Sequence, residues 1–124
     1  MKKQYYFLLA AVFLISAYAA YRLNPSAPAR DKAVSYSRDV RPILDSRCLQ
    51  CHSERIANRG LNMESYESLM AGSQNGPVIL PGNPRGSLLV KKLVGGEMPK
   101  RGPRLTPDQI RLIDDWIAAG APNN

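Results

Sequence analysis

Cys48, Cys51 and His52 are the only cysteines and the only histidine of the chain, and they lie together in Cys48-Leu49-Gln50-Cys51-His52. On a helical turn, positions i, i+3 and i+4 share one face, so two thiols and an imidazole would point the same way. The C-x-x-C-H spacing is the attachment motif for c-type haem. The thiols can form thioethers to the two vinyl groups on a porphyrin edge, and the imidazole then meets the iron from the same side. Competing chemistries fare worse. A thioredoxin-like dithiol wants a βαβ context and a stabilised thiolate, and the flanking sequence offers neither. A tetrahedral zinc site lacks a fourth Cys or His, and two cysteines alone build no disulfide framework.

A second axial ligand has to be something other than histidine. Methionine thioether is the usual partner of histidine in electron-carrying haem sites and raises the potential. Beyond Met1 the chain offers Met63, Met70 and Met98. Met98 stands in Gly95-Gly96-Glu97-Met98-Pro99, where Pro99 drives it to an extended backbone and the glycines allow a close approach. Met63 and Met70 sit beside Leu61 and Leu69 and read as core filling. The expected ligand set is therefore Cys48, Cys51, His52 and Met98 around one covalent haem, with His52 and Met98 on the iron.

The elements that must position these residues read as helices joined by irregular loops. Asp39 is the expected N-cap of the first, with Pro42 in its first turn and Val40, Ile43 and Leu44 on one face. That helix should run into the cysteine motif. A short helix is expected over 65–71 and stopped by Gly72, then an extended Val78-Ile79-Leu80. A turn at Asn83-Pro84-Arg85-Gly86-Ser87 follows, then a helix over 88–94 ended by Gly95-Gly96. The last helix has the clearest start: Thr106 caps, Pro107 takes N1 and Gln109 completes a capping box. Ile110, Ile113 and Ile117 form its apolar stripe, widened by Leu112 and Trp116, and Gly120 stops it. No alternating strand pattern is present, so the expectation is an all-α fold.

The N-terminus has another character. Lys2 and Lys3 precede an apolar run over 5–21, bounded by tyrosines and followed by Arg22. Residues 1–22 read as a membrane anchor, the preferred reading, or as a signal peptide cleaved near Ala19. Both readings export the rest, placing it on the periplasmic face, anchored to the inner membrane or soluble after cleavage. Residues 23–35 have the Pro/Ala/Ser composition of a linker, and 36–124 form the domain. The formal charge is +7, but Lys2, Lys3, Arg22 and Arg30 flank the apolar run and leave only +3 to the remainder. Nucleic-acid binding needs a far stronger basic field and is not expected.

Several stretches together resemble the planctomycete-type cytochrome c domain family, within the single-haem, class I-like cytochromes. They are Arg38-Asp39-Val40-Arg41-Pro42-Ile43-Leu44, the Cys48–His52 motif, and Gly76-Pro77-Val78-Ile79-Leu80-Pro81-Gly82-Asn83-Pro84 with Ser87-Leu88-Leu89. Met98-Pro99 and Trp116-Ile117-Ala118-Ala119-Gly120-Ala121-Pro122 complete the set. Members often carry a second proline after the Met-Pro pair, where this chain has Lys100. The resemblance implies a small class I cytochrome c-like fold whose N- and C-terminal helices pack together around one covalently bound haem c, with His52 and Met98 axial. It also implies a one-electron carrier and not an enzyme. The alternative is a haem-based gas or redox sensor with a displaceable sixth ligand. Arg47, Arg55, Lys100, Arg101 and Arg104 would form a basic collar for redox partners with acidic docking surfaces if the fold gathers them.

Overall fold

Ser35, not Asp39, starts the first helical segment. In the computed structural model, which describes residues 33–124, Ser35 Oγ accepts from the Arg38 N–H at 3.3 Å. Asp39 Oδ2 in turn accepts from the Ser35 N–H at 2.8 Å. The carboxylate thus serves the cap from inside the helix, the reciprocal arrangement that satisfies two orphan donors at once. The segment opens as a π-helical turn, Tyr36–Val40, and passes directly into α1, Arg41–Arg47, with Pro42 in its first turn. Val40, Ile43 and Leu44 are buried along one face, as their spacing requires.

Three further helices follow: α2 (Tyr66–Ala71), α3 (Leu88–Val94) and α4 (Pro107–Ala118). Ser65 caps α2 and Thr106 caps α4, each through a complete capping box. Gly72 closes α2 at φ +85°, where a Cβ would stand 2.6 Å from Gly76 O, so no other residue fits that stop. The connector before α3 is extended. The Leu89 N–H donates to Val78 O at 2.9 Å, and the fully buried Ser87 hydroxyl accepts from the Leu80 N–H at 2.9 Å. There are no strands among the described residues, only an isolated bridge between Ser73 and Gly76. The all-α expectation holds.

An aromatic trio ties the two ends of the domain together. The Tyr36 ring lies 5.2 Å from Tyr66 and 5.4 Å from Trp116, centroid to centroid, within the range where aromatic pairs attract beyond simple burial. Trp116 is fully buried, and its Nε1–H donates to Pro122 O at 2.9 Å. Tyr66 Oη donates to Ala121 O at 2.8 Å, and Asn124 Oδ1 accepts from the Tyr36 N–H at 2.7 Å. The first turn, α2 and the segment after α4 are therefore held through one ring cluster. Trp116→Ala should lower unfolding free energy by about 3–5 kcal/mol, as large aromatic truncations in closed cores do. Urea unfolding followed by circular dichroism checks this; a loss below about 1 kcal/mol would show that the trio is not the structural centre.

The expected anchorage to the inner membrane is corrected here. No described helix is long and apolar enough to cross a membrane. The longest, α4, has 12 residues and so spans roughly 18 Å, against about 30 Å of hydrocarbon core. The signal-anchor reading, the inner membrane as a partner and the anchored periplasmic location lose their support together. The apolar run over 5–21 on which they rested lies outside the described residues.

Candidate functional site

The cysteine motif continues α1 as one hydrogen-bonded turn. The Cys48 N–H still donates to Leu44 O at 2.8 Å, and the Cys51 and His52 N–H groups both donate to Cys48 O, at 3.0 and 2.9 Å. This local geometry sets the two thiols and the imidazole along one side of the backbone. The following segment is tied back to the motif by the Met63 N–H, which donates to His52 O at 2.7 Å.

Met98 arrives from the other end of the sequence, on a loop fixed to the C-terminus of α3. The Gly95, Gly96, Glu97 and Met98 N–H groups donate to Lys91 O, Leu93 O, Lys92 O and Lys92 O, at 2.9, 3.1, 3.0 and 3.1 Å. Each of these bonds satisfies a carbonyl that the end of a helix would otherwise leave open. The Lys92 ammonium also pairs with Glu97 at 2.5 Å, at the surface, where such a pair adds little stability.

Cys48, Cys51, His52 and Met98 all line one cleft of about 430 Å³, a size normal for a cofactor site. Leu61, Met63, Val78, Leu89 and Leu93 supply apolar wall, each of them buried. Leu89 and Leu93 face the cleft because they are one helical turn apart on α3, and Leu61 and Met63 because they alternate on an extended segment. Met63 is thus more than the core filling expected of it: it is 2% exposed and also borders the cleft. Met70 packs against the core and is not part of the lining.

Two polar details bear on what this cleft can hold. His52 Nδ1 is buried without a hydrogen-bond partner, an arrangement that costs free energy. Burial pushes the Cys48 thiol up to about 11, with smaller contributions from Asp45 and Cys51. Reactive redox dithiols are lowered, not raised, so the thioredoxin-like reading has no support here. Nor, among the described residues, do three His, Cys, Asp or Glu side chains converge to hold a metal ion by themselves. The residues do fit a flat apolar ring: paired thiols on one edge, a nitrogen base beside them, a thioether on a separate loop and aliphatic walls.

The basic residues are gathered differently from the expectation. Arg47, Lys100 and Arg101 border the cleft as anticipated, and Arg59 and Lys92 join them, while Arg55 and Arg104 do not. Glu97 is the only acidic residue of the lining and is the one paired with Lys92. Arg59 gave no spacing signal; it reaches the site because the 3₁₀ turn Asn58–Gly60 is tied to the following loop, the Gln74 N–H donating to Arg59 O at 2.9 Å.

A small helical domain with this arrangement of thiols, imidazole and thioether is consistent with a cytochrome-like fold. Residues 48–102 match the family model described as Planctomycete cytochrome C. The match is consistent with a non-enzymatic, electron-transfer role. Neither the curated proteins nor the solved structures contain a match to the chain.

Proposed function

We propose that the domain is a one-electron carrier with one covalent haem c, attached through Cys48 and Cys51 and ligated by His52 and Met98. The observation that supports this most is the convergence of those four side chains on a single apolar cleft. When bound, the haem iron supplies a one-electron couple whose potential the axial ligands and the dryness of the pocket set.

The chain's own residues do the rest. Cys48 and Cys51 fix the cofactor in a domain too small to hold it by enclosure alone. Leu61, Met63, Leu89 and Leu93 keep water from the ring, and Met98 closes the sixth position against outside ligands. No general acid or base stands ready for peroxide chemistry. His52 is the chain's single histidine, and the carboxylate of the lining is tied to Lys92. Arg47, Arg59, Lys92, Lys100 and Arg101 give the cleft mouth an excess of positive charge that favours partners with acidic docking surfaces.

Two measurements test this reading. A potentiometric titration should follow a single one-electron curve, and the reduced protein should take up no carbon monoxide on mixing. Rapid carbon monoxide binding would move the reading to a gas or redox sensor. Electron exchange with an anionic oxidant should slow as salt rises. At low salt the double variant Lys100→Glu, Arg101→Glu should slow it about tenfold, within the range of electrostatic steering. A rate indifferent to salt and to both substitutions would remove the basic mouth from the account.

A further inference from the structure

The loop that carries Met98 is braced from a second side. Gly96 is its residue in the left-handed region, at φ +67°, and the space where its side chain would stand is filled. A Cβ built there would lie 1.6 Å from Arg104 Nη1 and 2.8 Å from Arg104 Cζ. The guanidinium therefore meets the glycine end-on, Nη1 foremost. Arg104 is exposed and absent from the cleft lining. Its backbone is well held: Leu105 beside it is buried, and Thr106 next in line caps α4. On the other side, the Glu97 and Met98 N–H groups are fixed to Lys92 O of α3. The loop is caught between the end of one helix and the approach to another.

We propose that Arg104 is a positioning residue for Met98, the Nη1 end of its guanidinium filling the notch at Gly96 and holding the thioether toward the cleft. This rests on reading Met98 as the sixth ligand. Its logic is packing and not charge. Lysine keeps the positive charge of arginine but ends one atom short of Nη1 and has no forked end to fill the notch. Loosening the brace raises the fraction of molecules whose loop has swung away. An outside ligand that needs the open state then gains apparent affinity in proportion to that fraction.

The experiment is an imidazole titration of the ferric holoprotein, followed at the weak far-red sulfur-to-iron band. Arg104→Ala should bind imidazole about tenfold more tightly than the unmodified protein, since apparent affinity tracks the open population. Arg104→Lys should resemble Arg104→Ala. Because Arg104 is exposed, urea unfolding of both variants should stay close to that of the parent, which separates loop bracing from a general loss of stability. Unchanged imidazole affinity in Arg104→Ala overturns the proposal, and so does full restoration by Arg104→Lys, which would make the effect one of charge. The control is Met98→Ala. If that variant loses the band while Arg104→Ala behaves as the parent, bracing alone is wrong. If the band survives Met98→Ala, the ligand reading fails and takes the bracing with it.

Discussion

Replacing Met98 by alanine is expected to lower the reduction potential and open the iron to carbon monoxide. Thioether sulfur stabilises ferrous over ferric iron, so its loss favours the oxidised state. A fall on the order of 100 mV is reasonable beside the roughly 0.8 V over which axial ligands tune haem proteins. The far-red charge-transfer band should vanish in Met98→Ala and persist in Met63→Leu and Met70→Leu. The Met63 comparison is the demanding one, because Met63 borders the same cleft. Its backbone is bonded to that of His52, so it is tied to the segment carrying the proposed first ligand. Met98 comes from a separate loop that borders the same cleft, and the proposal makes its thioether the sixth ligand. A band that disappears with Met63 and survives without Met98 would transfer the assignment.

The Cys48→Ser, Cys51→Ser double variant should lose covalent haem entirely. Serine keeps the size and polarity of the site but forms no thioether, so the change removes one bond type and little else. Its consequence should reach the fold. The cleft walls Leu61, Met63, Leu89 and Leu93 are also members of the hydrophobic core. The proposed haem would add buried apolar surface against these walls. The variant should therefore unfold at lower urea than the parent, and visible absorbance should not stay with the chain after precipitation in acid and acetone. Retained absorbance in the double variant would place the attachment elsewhere.

Much of this was legible before any coordinates because the signals were local. A capping box at Thr106 and Gln109, a glycine stop at Gly72 and the spacing of Cys48, Cys51 and His52 each need only a few consecutive residues. The placement of Met98 on a loop after α3 followed from Gly95, Gly96 and Pro99 in the same way. What could not be read was tertiary. Asp39 sits where an N-cap could be, but Ser35 has Tyr36 beside it to bury against Trp116, and that packing sets the helix start one turn earlier. Lys92 joins the cleft because it shares α3 with Leu89 and Leu93, and Arg59 because its turn is bonded to the loop at Gln74. Sequence proximity to Met98 puts Arg104 with the basic collar, whereas its guanidinium meets Gly96. The membrane reading failed to find support for a different reason: a hydrophobic run and its flanking charges describe a segment, not the domain that follows it.

The most direct test of the central claim is the intact mass of the unmodified protein, denatured in acid after expression with haem-maturation machinery. The account predicts a chain heavier than its polypeptide by one haem, the increment tracing to a peptide containing Cys48 and Cys51. A chain at the bare polypeptide mass, with its haem free in the supernatant, would contradict covalent attachment and the cytochrome reading built on it.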